Sequence, residues 1–187
     1  MSTLHIIETA TGKTMPDTIE RTRAASIAWK LDNSGFFYTR YPKKGEVAED
    51  EEVYHRRVFY HELGGDPARD ALVFGKDLGA ENWPNVDLSN DGRWLLISVE
   101  QGWTKSELYI QDVQGGKQPV RITEGKDFLY SGQIYNGKLF VTTNEDAPRY
   151  RMFVADAATP ARANWKEIIP QSDAILQGAA IVNGMLL

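Results

Sequence analysis

The 187-residue chain contains no cysteine. Disulfides, thiol nucleophiles and cysteine-ligated zinc are therefore excluded. A basic surplus is also missing: 21 Lys and Arg stand against 26 Asp and Glu, for a formal net charge of −5. That balance argues against broad phosphate-backbone binding, so nucleic acid is not an expected partner. No apolar run reaches the ~18 residues that a membrane span needs, and no membrane partner is expected. The opening Met1 to Thr14, MSTLHIIETATGKT, has neither the basic segment nor the long apolar segment of a secretory signal. Cytoplasmic localisation is the expectation, with a periplasmic parent protein as the alternative.

What is present is an ordinary folded composition, 42% hydrophobic and 25% charged. The hydrophobic residues fall in short β-rich runs behind turn residues. Phe36–Tyr41 follows Asp32-Asn33-Ser34-Gly35, Trp94–Val99 follows Asn90-Asp91-Gly92, and Leu139–Thr143 follows Asn136-Gly137-Lys138. Asn-Gly and Asp-Gly favour positive-φ turns, while aromatic and β-branched residues favour strands. The turn glycines Gly35, Gly92, Gly137 and Gly184 recur at roughly 45 to 57 residues. Alternating runs follow at Val58–Leu63, Glu107–Asp112 and Arg151–Asp156, and third runs at Ala71–Phe74, Pro119–Thr123 and Trp165–Ile169. A repeat of that length with up to four short strands has the period of a β-propeller blade. The expected fold is all-β, with about three four-stranded antiparallel blades. Pro42–Glu52, PKKGEVAEDEE, is polar and aperiodic and reads as an inserted loop.

Candidate chemistry is sparse. No serine sits in a G-x-S-x-G elbow; Ser131-Gly132 comes nearest and reads as a turn. His55 and His61 would share a face of one continuous strand, as strand histidines with hydrogen-bond partners rather than metal ligands. Gly132–Lys138 has the spacing of a phosphate loop, but Leu139 stands where Ser or Thr would hold magnesium. Asp87–Gly92 opens like a calcium loop, but Ser98 stands at the twelfth position in place of Glu. Neither metal nor cofactor is expected. Of the five tryptophans, Trp29, Trp83, Trp94 and Trp165 read as packing residues. Trp103 follows Gly102 between two strands, where a turn would present it for ligand contact.

Three stretches resemble the propeller domain of the prolyl oligopeptidase family. They are Ile27–Pro42, Val53–Phe74 with its Tyr54-His55…His61-Glu62-Leu63-Gly64-Gly65-Asp66, and Leu88–Ser98; Thr143–Arg151 is a weaker fourth. The resemblance implies an interior part of a seven-bladed propeller. Residues 1–23 would end one blade, 24–78, 79–126 and 127–172 would be blades, and 173–187 would start another. In that family the propeller gates an α/β-hydrolase domain that cleaves short proline-containing peptides after proline. No counterpart of that hydrolase domain is expected here, so no catalytic residue carries over and the chain alone is expected to be inactive. The implied partners are short proline-containing peptides and a hydrolase domain, with self-association through open blade edges. Positions corresponding to the family's cavity-lining residues are Glu100, Trp103, Ala24 and Pro84. The alternative reading is a non-enzymatic propeller that binds or scaffolds.

Overall fold

Apolar residues in these short runs alternate or cluster at strand length, and nearly all of them become strands in the computed structural model, which describes residues 2–182 and 184–187. Asn183, expected at the last turn, lies outside the described residues. Strands β1 (Thr3–Ile7) and β2 (Thr14–Glu20) form a hairpin. A four-stranded sheet follows in the order β3 (Ile27–Trp29), β4 (Gly35–Arg40), β5 (Arg57–Glu62) and β6 (Ala71–Phe74). The second contains β7 (Trp83–Leu88), β8 (Trp94–Gln101), β9 (Lys105–Asp112) and β10 (Val120–Arg121). The third contains β11 (Tyr130–Tyr135), β12 (Lys138–Thr143), β13 (Arg151–Asp156) and β14 (Lys166–Ile169). A ribbon of β15 (Ile181–Val182) and β16 (Met185–Leu186) completes the order. In all three larger sheets, successive strands are neighbours, the antiparallel meander of a propeller blade. Among the described residues, no helix is long and apolar enough to cross a membrane.

The chain divides into two compact units, Met1–Val86 and Asp87–Leu187. Burial explains which strands hold each together. All six residues of β4 are buried, as are the first four of β8, because these second strands are covered on both faces. In the first unit Phe36 and Tyr38 of β4 meet Ile6 and Ile19 of the opening hairpin. In the second, Leu96 and Leu108 of one sheet pack with Ile134, Leu139, Val141 and Phe153 of the next. Serines tie the sheets through backbone. Ser106 Oγ donates to the Tyr130 carbonyl at 2.8 Å and accepts from the Tyr130 N–H at 2.7 Å. Ser26 Oγ serves both backbone groups of Val86 in the same way, at 3.1 and 3.0 Å.

Four expectations change. Gly92 and Gly137 hold positive φ, but at the first hairpin the left-handed residue is Asn33 and Gly35 already belongs to β4. Glu49–Glu51 form a 3₁₀ turn inside the inserted segment, and Pro42 at its start is buried. Trp29 is 40% exposed, with one face on the Phe36 ring at 4.6 Å, because β3 has only three residues and its outer face is uncovered. Ser131 lies within β11 rather than in a turn, because that strand pairs along its whole length with β12.

Candidate functional site

A cleft of about 630 Å³ opens in the second unit, and the sequence places its features on four neighbouring strands. Ser98 and Glu100 come from β8, Ser106 from β9, Tyr130, Ser131 and Gly132 from β11, and Thr142 from β12. Gly132 allows the close approach of β11 to the adjoining sheet: a Cβ there would lie 3.1 Å from Leu96 Cδ2 and 3.3 Å from Leu108 Cδ1. Tyr150 and Ile175–Gly178 form another wall. Arg149 anchors that wall: its carbonyl accepts from the Leu176 N–H at 3.0 Å, and its N–H donates to Gln171 Oε1 at 2.8 Å.

Trp103 stands at the mouth. The β8–β9 pairing runs out to Gln101 and Lys105, leaving Gly102-Trp103-Thr104 as the tip. Gly102 takes φ +72, which reverses the chain and turns the indole outward. Trp103 is 96% exposed. A fully wet indole is an unusual surface feature and offers a large apolar face for ligand contact. Among the described residues, Glu100 is the only charged side chain in the lining. Burial pushes the Tyr130 hydroxyl up to about 12, with the Glu145 charge adding to the shift, so the phenol stays neutral at physiological pH. The cleft thus offers aromatic faces, hydroxyls and one carboxylate. Its described lining contains no histidine to serve as a general base.

Of the four positions read from the sequence as cavity-lining, Glu100 and Trp103 line this cleft. Ala24 and Pro84 belong to the first unit. Ala24 is exposed and left-handed, with φ +48, and its carbonyl accepts from Arg56 Nη2 at 2.7 Å. Pro84 is buried in β7, a sheet-edge strand where a missing N–H is tolerated. The histidines do not share a strand: His55 precedes β5 with φ +56 and pairs with Glu51 at 3.0 Å. His61 is fully buried on β5 between two aspartates, with Nε2 2.9 Å from Asp17 and Nδ1 2.9 Å from Asp70. Asp17 is distant in sequence and was invisible without knowing how the opening hairpin packs. Among the described residues, no group of three or more His, Asp or Glu is placed to hold a metal ion.

Comparison with known proteins connects this geometry to one family. The family model for the prolyl oligopeptidase N-terminal β-propeller domain matches residues 1–187. Prolyl endopeptidase of Elizabethkingia meningoseptica is 28% identical over 175 residues, covering 92% of this chain and 24% of that protein. Prolyl oligopeptidase A of Galerina marginata is 31% identical over 183 residues, covering 90% and 24%. The chain therefore spans about a quarter of the length of these relatives. A solved prolyl endopeptidase structure superposes with a TM-score of 0.91 at 33% identity, covering 98% of this chain and 27% of that one. Prolyl oligopeptidase B of Galerina marginata, bound to a 35mer hydrolysis and macrocyclization substrate, superposes at 0.78 with 20% identity, covering 97% and 27%, and shares the fold.

Proposed function

Because the chain belongs to the prolyl oligopeptidase family, through that family's N-terminal β-propeller domain, we propose that it is the substrate-gating propeller of a serine peptidase. The intact enzyme hydrolyses short proline-containing peptides on the carboxyl side of proline. A hydrolase domain supplies the nucleophile, base and oxyanion donors, and this chain supplies cavity wall and selection by size. Residues 24–78, 79–126 and 127–172 act as successive blades, with 1–23 and 173–187 belonging to their neighbours. Ala24 and Pro84 line a substrate cavity of the intact enzyme, and the enzyme works in the cytoplasm.

The observation that carries this reading is the bare indole of Trp103 beside Glu100 at the mouth of the cleft. An exposed aromatic adds affinity when a short apolar peptide covers it, by an amount comparable to burying one large side chain. In the full-length enzyme, Trp103→Ala raises KM for short proline peptides about tenfold and leaves kcat nearly unchanged. An unchanged KM overturns the assigned role. The 187-residue chain assayed alone on a chromogenic proline peptide gives no turnover. Activity that survives stringent purification overturns the division of labour.

A further inference from the structure

The first unit holds a second cavity, of about 200 Å³, where β4 ends and β5 begins. Arg21, Arg40, Lys43 and Arg57 line it together with two carboxylates, Glu46 and Asp70. Arg40 and Arg57 sit opposite each other in register across the two strands, an arrangement in which like charges repel. Arg40 is 6% exposed, so water screens its charge little. Its guanidinium lies 4.2 Å from the Phe59 ring centroid, and its Nη1 donates to the Pro67 carbonyl at 3.0 Å.

Neither carboxylate neutralises this group. Asp70 is taken up by His61 and by the Tyr38 hydroxyl, and Glu46 accepts from the Lys43 N–H at 3.1 Å. Among the described residues, no carboxylate ion-pairs with Arg40, Lys43 or Arg57. Arg21 meets the exposed carboxylate of Glu20 at 3.8 Å, and its Nε donates to the Tyr41 carbonyl at 3.3 Å. One buried donor of a lining residue, Arg57 Nε, has no partner within the protein. A buried donor without an acceptor is costly, and so is an uncompensated buried charge. One bound anion would relieve both.

We propose that this cavity binds a small oxyanion of the phosphate or sulfate class, held by Arg21, Arg40 and Arg57. Guanidinium forks match tetrahedral oxyanions and bind them by charge-assisted hydrogen bonds. The volume suits a single anionic group and is too small for a nucleotide. The same chemistry serves a free ion or a phosphate monoester carried on another molecule.

The test titrates the full 187-residue chain with inorganic phosphate, and in parallel with O-phosphoserine, at ionic strength held constant with NaCl. Calorimetry and thermal melting are the readouts. Saturable binding with a rise in Tm is expected. Binding by both probes identifies a site that accepts monoesters, and binding by phosphate alone identifies a free-ion site. Arg57→Gln weakens binding about tenfold or more. Arg93→Gln, which removes the partner of Asp112 in the second unit, leaves it unchanged. An equal Tm rise from NaCl alone, no binding of either probe, or wild-type affinity in Arg57→Gln overturns the proposal. If Arg57→Gln does not fold, Arg21→Gln replaces it with the same expectation.

Discussion

His61 has no solvent exposure, and each of its ring nitrogens lies 2.9 Å from a carboxylate oxygen. Carboxylates accept, so the ring satisfies both only with a proton on each nitrogen. Asp17 also accepts from the Gly64 N–H at 2.5 Å, which joins the opening hairpin to the end of β5. Burial alone would raise the Asp17 carboxyl, but the bonds from His61 and Gly64 outweigh it and hold the group below its ordinary 3.8. The sign follows. A depressed folded-state value adds stability that is complete above the unfolded value and is lost as pH falls through the folded one. The excess stability of the wild type over Asp17→Asn should therefore shrink as pH drops from about 5 to below 3.8. Urea melts across that range check it, and parallel curves for the two proteins would count against it. His61→Ala removes the ring between two buried carboxylates, leaving Asp17 the Gly64 N–H and Asp70 the Tyr38 hydroxyl, and costs about 3–5 kcal/mol at neutral pH. From sequence, His61 is recognisable as a strand histidine with a hydrogen-bond partner. Its partners are not, because Asp17 is brought in by the packing of β2, which no local pattern encodes.

At the scale of strands and turns, most of the architecture was readable because each blade repeats the same local chemistry. Gly92 and Gly137 follow Asp and Asn and take φ +69 and +70, as turn glycines should. Gly35 has a similar neighbourhood in sequence but a different duty. It pairs with Glu62 in β4, and a Cβ there would lie 2.2 Å from the His61 carbonyl oxygen. The requirement comes from the register of β5, which the turn sequence does not reveal. A Cβ at Gly137 meets nothing within 4 Å, so Gly137→Ala costs only the left-handed backbone penalty, about 1–2 kcal/mol. Gly35→Ala displaces a strand and costs about 3 kcal/mol or more. Urea midpoints of the two variants should rank in that order, and equal losses would refute the distinction. The same division applies to the sites. The exposure of Trp103 at a turn was legible because a glycine beside an aromatic between two strands is a local signal. The cluster of Arg21, Arg40, Lys43 and Arg57 was not, because strand register assembles it from separate segments.

At the scale of the whole molecule, the repeat length of 45 to 57 residues sets what the chain can cover by itself. Blade faces are apolar because neighbouring blades bury them, and a face without a neighbour stays wet. The ribbon of β15 and β16 shows the consequence. Val182, Met185 and Leu187 are 48%, 60% and 72% exposed, and Ile175 just before it is 61% exposed. A two-stranded ribbon is marginal in water and offers open edges as well as apolar side chains. A formal net charge of −5 spread over 187 residues opposes association only weakly. The isolated chain is therefore expected to self-associate, with a mass by light scattering that rises with concentration through the micromolar range. Replacing Met185 and Leu187 by Lys adds charge where the ribbon is most exposed and should return the chain to monomer at the same concentrations. Neither residue belongs to the buried core of the second unit, so folding should survive the change. A mass that stays monomeric at every concentration, or one that both substitutions leave unaltered, would show that these faces do not drive association.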